Sequence, residues 1–283
     1  MGKRSVRNRR NRREAPRRLR RTAWAAAAAT AALLLALLFT SPGRTILGRL
    51  PLCDRIQRLV FGGPRMPPAA TYGIDVSRHQ GEIRWGEVRH IRFNPLTRRQ
   101  GLDSLNARAA IGFVFAKATE GGDFADPNIS ANRLGIRSAG IPYGAYHVMT
   151  LANADSQVVN FVRTALLRRG DLRPAVDVED GILGSARLSA VRDTLRRVLR
   201  GLDDAYGTRA IVYSSLRFME RLSEGGALAG RPLWIARYLS DELPAGADIW
   251  QFAENGQIAG IDEPVDLDAL CSDRLSLADL TLD

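Results

Sequence analysis

The sequence predicts an α/β fold: a TIM-like barrel of eight strands with irregular or missing helices after the later strands, preceded by one transmembrane helix. Three observations lead there. Eight short apolar runs, at 72–76, 111–117, 141–147, 174–178, 209–214, 233–237, 248–252 and 265–267, fill the C-terminal part of the chain. The first five are each followed by a stretch of helical spacing, and strands that alternate with helices pair in parallel through right-handed crossovers. Ahead of them all stands a run of 22 residues without a charge, Thr22 to Gly43.

The N-terminus is read first. Of the 283 residues, 45% are hydrophobic and 25% charged, which excludes a wholly disordered or fibrous chain. The net charge of +11 is not spread evenly: residues 1–21 hold eleven Lys and Arg against Glu14, net +10, and the other 262 hold 30 bases and 29 acids, net +1. The body is therefore neutral. At about 1.5 Å per residue, the uncharged run matches a hydrocarbon core of roughly 30 Å. Its exit, Phe39-Thr40-Ser41-Pro42-Gly43, has no clear A-x-A cleavage site, so an uncleaved anchor over 22–43 is preferred to a signal peptide. The basic tail 1–21 lacks interleaved aromatics and abuts the span, which fits a cytoplasmic flank better than a nucleic-acid arm. No nucleic-acid partner is expected, and the remainder of the chain is placed outside the cytoplasm.

Residues 44–70 mix Gly, Pro and Arg around the amphipathic piece Ile56–Phe61 and reach Pro64, Pro67 and Pro68, as a linker does. The barrel domain takes 71–283. Its expected helices are a stretch around Trp85–His90, then Asn128–Ala139, Ala154–Leu167, Leu188–Ala205 and Leu216–Leu222. Short loops join the last strands, and eight strands in this length imply closure.

In such a barrel the working residues stand at the C-terminal ends of the strands. Asp177 and Glu179 lie two apart, so they face the same way, and a carboxylate beside another is held in its protonated form more easily. That is how a Glu is kept as a general acid near neutral pH. Asp75 and Asp266 end strands one and eight, neighbours across the closure, so four acids converge on one mouth. Tyr146, Tyr213, Trp234, Tyr238, Trp250 and Gln251 end other strands and are the substrate-binding candidates. Lys117, one of only two lysines, joins them as a possible substrate contact, although a salt bridge to Glu120 or Asp177 is the favoured reading. Rings stack on pyranose faces and acids protonate a glycosidic oxygen, so the set suits a sugar-cleaving groove.

Other chemistries lack their residues. His79, His90 and His147 have no metal-ligand spacing, and there is no G-x-S-x-G elbow, P-loop or strand-coupled G-x-G-x-x-G. No metal and no cofactor are expected. Cys53 and Cys271 flank the first and last strands, and a disulfide between them is expected on that ground.

Thr71–Leu270 resembles the catalytic domain of glycoside hydrolase family 25, the lysozymes (N,O-diacetylmuramidases). The motifs stand in family order: G-I-D-V-S (73–77), K-A-T-E-G-G (117–122), G-A-Y-H (144–147), D-V-E (177–179), W-I-A-R-Y (234–238), W-Q-F (250–252) and V-D-L-D (265–268). The resemblance implies that Glu179 is the proton donor, with Asp177, Asp75 and Asp266 completing the acidic site. It implies a peptidoglycan substrate cut between N-acetylmuramic acid and N-acetylglucosamine, with the substrate's own 2-acetamido group as nucleophile and Asp177 or Asp266 orienting it. The implied setting is a bacterial inner membrane with the barrel in the periplasm; the oligomeric state is left open. One departure is the stretch Phe93–Ala110, longer and more Arg-rich than the family pattern. The rival reading is a catalytically idle glycan-binding or scaffold barrel of the envelope.

Overall fold

The computed structural model describes residues 69–92, 109–184, 186–238 and 242–283, together with Pro67 and Ser240. The expected tail, the span 22–43, Cys53 and the stretch 93–108 lie outside the described residues. Among the described residues no helix is long and apolar enough to cross a membrane.

Each expected apolar run is a strand of one closed barrel. In chain order these are β1 (Thr71–Val76), β3 (Ala109–Glu120), β5 (Tyr143–Val148), β6 (Ala175–Asp177), β7 (Ile211–Ser215), β8 (Leu233–Ala236), β9 (Ile249–Ile258) and β10 (Val265–Leu270). Two short strands are added: β2 (His90–Arg92), which bridges the start of β3 and the end of β9, and β4 (Phe124–Ala125), which pairs with the end of β3. From β1 through β3, β5, β6, β7 and β8 to β9 every pairing is parallel. β10 closes the ring antiparallel to both β9 and β1. The expectation of parallel pairing therefore fails at the eighth strand, because six residues, 259–264, separate β9 from β10. A parallel return needs a crossover of about a dozen residues or more.

The helices are α1 (Ile129–Ser138), α2 (Ala154–Ala165), α3 (Asp180–Leu183), α4 (Leu188–Tyr206) and α5 (Leu216–Ser223). α4 buries Val191, Leu195, Val198, Leu199 and Leu202, a stripe at helical spacing, and packs on α2, where a Cβ at Gly201 would meet Val158 at 2.8 Å. The helix expected around Trp85–His90 is absent. Turns there carry Glu87 N to Arg84 O at 2.8 Å, and the Trp85 ring is buried against Gly135 of α1, where a Cβ would lie 2.0 Å from it. That docking, with Arg84 N donating to Gly260 O at 2.9 Å, pulls the chain out of helical register and into β2.

Alternation along the strands sorts side chains into two layers. Ile74, Val76, Val114, Ala116, Val176, Val212, Ile235, Trp250, Phe252, Leu267 and Ala269 face the helices and loops. Phe113, Phe115, Ala175, Ile211, Trp234, Ile249 and Leu270 fill the barrel. The interior rings explain two motif glycines: a Cβ at Gly73 would stand 2.2 Å from the Phe113 ring, and one at Gly144 would stand 2.3 Å from Phe115. Leu172 and Leu280 close the N-terminal end from below, with Leu282 N donating to Asp171 O at 2.8 Å and Arg173 N to Leu280 O at 2.8 Å. The opposite end stays polar and open.

Cys271 is a half-buried free cysteine whose thiol burial pushes up to about 11. Its expected partner is outside the described residues.

Candidate active site

The polar end of the barrel holds one pocket lined by Asp75, Tyr146, Asp177, Glu179, Tyr213, Trp234, Gln251 and Asp266. The four predicted acids are thus together. Asp75 and Asp266 are direct register partners across β1 and β10. Asp177 is the last residue of β6, and Glu179, still extended at φ −110° and ψ 134°, precedes α3. Backbone bonds on both sides hold this segment: Met149 N donates to Asp177 O at 2.9 Å, Val178 N to Tyr213 O at 3.0 Å, and Ser214 Oγ to Val178 O at 2.7 Å. Asp177 therefore faces the enclosed interior while Glu179 stands at the rim.

Electrostatics follows burial. The Asp177 carboxyl is pushed well above its usual range by burial and by Glu179, with Lys117 opposing. Asp75 moves the same way through burial and then Asp266 and Asp268. Burial raises Asp266 to about 7, with Glu254 and Glu179 adding to it. Glu179 is raised too, chiefly by burial, with Lys117 acting against. Removing carboxyls from water disfavours their charged form, and each repels the others. A pocket of this kind holds protons at a pH where free carboxylates would have lost them.

The aromatic candidates divide. Tyr146, Tyr213 and Trp234 line the pocket, with Trp234 as its floor, 4.9 Å between centroids from both Phe115 and Tyr213. Tyr238 stands at the edge, partly exposed, and its hydroxyl donates to Gln251 Oε1. Trp250 does not line the pocket. Its neighbour Gln251 points inward, so Trp250 must point out, where it is buried against Phe252 and donates through Nε1 to Arg237 O at 2.8 Å. Lys117 does not line the pocket either. It is 2.7 Å from Glu120 and lies over the Phe124 ring, so its charge reaches the site only at a distance. His147, enclosed between Thr119 Oγ1 at 2.7 Å and Gln157 Oε1 at 3.0 Å, is lowered to about 4 by burial and is a neutral structural group.

One residue of the site went unassigned in the sequence reading. Asp268, fully buried below Asp75, accepts from Trp234 Nε1 at 2.8 Å. The signal was present: Asp266 and Asp268 share the two-residue spacing that marked Asp177 and Glu179, and one face of β10 carries both.

A closed barrel whose mouth gathers four acids between aromatic walls defines a glycoside-cleaving enzyme. The chain belongs to glycosyl hydrolases family 25, whose model matches residues 74–261, and it is a glycosidase of the muramidase class. It is 31% identical over 207 residues to the uncharacterized protein YegX of Escherichia coli (strain K12), covering 71% of this chain and 70% of that one. It is 27% identical over 249 residues to lysozyme M1 of Streptomyces globisporus, with 80% and 77% covered. In fold it is similar to a family 25 glycosyl hydrolase from Bacillus anthracis at a TM-score of 0.61 and 23% identity, covering 75% of this chain and 94% of that one. A bacterial lysozyme from Streptomyces coelicolor is similar at a TM-score of 0.60 and 24% identity, with 74% and 94% covered.

Proposed function

We propose that this protein is a membrane-anchored muramidase that cleaves the bond between N-acetylmuramic acid and N-acetylglucosamine in peptidoglycan, with Glu179 as proton donor. The observation that carries the reading is the division of labour within the pocket: a raised Glu179 at the open rim and Asp75, Asp177 and Asp266 deeper between aromatic walls. An acid that reaches the leaving oxygen must be accessible and must hold its proton readily; Glu179 stands at the rim and burial raises its carboxyl. A deeper carboxyl in its ionised form suits the positive charge that develops at the anomeric carbon.

Asp177 Oδ1 is buried and has no hydrogen-bond partner. Leaving such an acceptor unmet costs about 1–3 kcal/mol, and a substrate N–H would meet it. Asp177 is therefore the residue we assign to orient the 2-acetamido group, whose oxygen then attacks the anomeric carbon as the glycosidic oxygen takes the Glu179 proton. The tail 1–21, with its net +10, sits on the cytoplasmic side, the span 22–43 remains in the membrane, and the barrel acts in the periplasm.

Purified full-length protein in detergent, incubated with purified peptidoglycan, is expected to release soluble muropeptides. Binding to the glycan without release would instead identify an idle barrel.

A further inference from the structure

We propose that Asp268 is a positioning residue that carries a proton and donates it in a hydrogen bond to Asp75, keeping Asp75 ionised and aimed into the pocket. The inference rests on four groups. Asp268 Oδ1 accepts from Trp234 Nε1 at 2.8 Å, so that oxygen is satisfied. Its Oδ2 is fully enclosed and meets no donor. Asp75 Oδ2 accepts from Gln251 Nε2 at 2.7 Å, and Asp75 and Asp268 are diagonal neighbours on one face of the paired strands β1 and β10, where Asp268 lies opposite Gly73 and Asp266 opposite Asp75. Two buried carboxylates in that relation repel, and each would also forgo its hydration. One proton between them removes the repulsion and leaves a single buried charge, which the Gln251 amide meets.

The proton belongs on Asp268. Asp268 is 0% exposed, whereas Asp75 is 7% exposed, opens into the pocket and already has an amide donor, so it is the better place for charge. Among the described residues that line the pocket, no cation faces the pair to supply a compensating charge. β10 contributes Asp266, β6 Asp177, β5 Tyr146, β7 Tyr213 and β8 Trp234, while Tyr238 lies beyond β8 and Lys117 of β3 is committed to Glu120 at 2.7 Å. Burial holds both carboxyls well above the usual range, in keeping with one shared proton, and the enclosure of Asp268 and the amide donor on Asp75 decide which of them carries it.

The test is the melting temperature of the full-length protein against pH for wild type, D268N and D75N. Asparagine at 268 still accepts from Trp234 and donates permanently to Asp75. A raised folded-state pKa contributes stability that is present below the unfolded value and lost as pH rises toward the folded one. The melting temperature of D268N should therefore gain on wild type as pH rises above about 4, the range in which an unfolded aspartate ionises. D75N, donating in the reverse direction, should show the same pH-dependent gain, which keeps the test open should D268N not fold. A melting-temperature difference that is constant with pH, or that moves against both variants as pH rises, would overturn the proposal. The proton does not depend on turnover: a wild type that leaves peptidoglycan intact would count against the muramidase reading and leave this assignment standing. Its catalytic consequence does rest on that reading, and is that D268N extends the alkaline limb of the hydrolysis profile; an unmoved limb would contradict the positioning role.

Discussion

Gln251 donates through Nε2 to Asp75 Oδ2 at 2.7 Å while its Oε1 accepts from the Tyr213 hydroxyl at 2.8 Å and from the Tyr238 hydroxyl. One amide thus fixes a carboxyl from β1 against phenols from β7 and the segment after β8, and its two ends cannot be exchanged without setting the amide oxygen against the Asp75 carboxylate, acceptor against acceptor. We expect Gln251→Leu to strand these groups, lowering stability by about 1–3 kcal/mol and activity with it. Urea midpoints of the variant check the first part. An unchanged midpoint would mean that water replaces the amide without cost.

The interior rings make a second expectation. Gly73→Ala would drive a methyl into Phe113, and overpacking of a closed interior costs typically about 1–3 kcal/mol. Pairing it with Phe113→Leu should recover part of that loss, because contacting sites are not additive. Strict additivity in the double-mutant cycle would contradict the steric account of the G-I-D-V-S motif.

Two buried groups pull the pH dependence of stability in opposite directions over nearly the same range. His147, lowered to about 4 in the folded state, contributes stability that is present above its unfolded value of about 6.5 and lost as pH falls toward 4. Asp266, raised to about 7, acts with the opposite sign: its contribution is present below about 4 and lost as pH rises to about 7. Asp266→Asn should accordingly gain stability relative to the parent protein as pH rises from about 4 to about 7, and run parallel to it outside that range. Parallel curves for the two proteins would show that Asp266 keeps an ordinary acidity.

Membrane topology is the fourth expectation. On the proposed topology, in which the net +10 flank keeps residues 1–21 inside, protease added to intact spheroplasts should remove the barrel and spare the tail. A mature N-terminus near residue 41 would identify a cleaved signal instead.

How far these features could be read in advance depends on where the information lies. The barrel strands were readable because each is an apolar run bounded by turns, and the acids because D-V-E keeps Asp177 and Glu179 on one face whether or not the strand continues past Asp177. Alternation alone was enough to send Trp250 outward once Gln251 was placed inward. The reversal of β10 was less legible, because the expected runs 248–252 and 265–267 leave twelve residues between them and only the extension of β9 to Ile258 shortens the connection to six. Trp85 was different: its fate is set by Gly135, 50 positions away, and no local pattern carries that. Asp268 likewise takes its meaning from Trp234 and Asp75, on other strands.

The central claim, that Glu179 donates a proton to the glycosidic oxygen of a muramyl bond, is tested most directly by the reducing ends it creates. Peptidoglycan digested by the full-length protein, reduced with borohydride and hydrolysed, should yield muramicitol. Glu179→Gln, which keeps the size of the side chain but has no acidic proton, should form it at least ~10²-fold more slowly while folding normally. Glucosaminitol in place of muramicitol, or near wild-type rates from Glu179→Gln, would contradict the account.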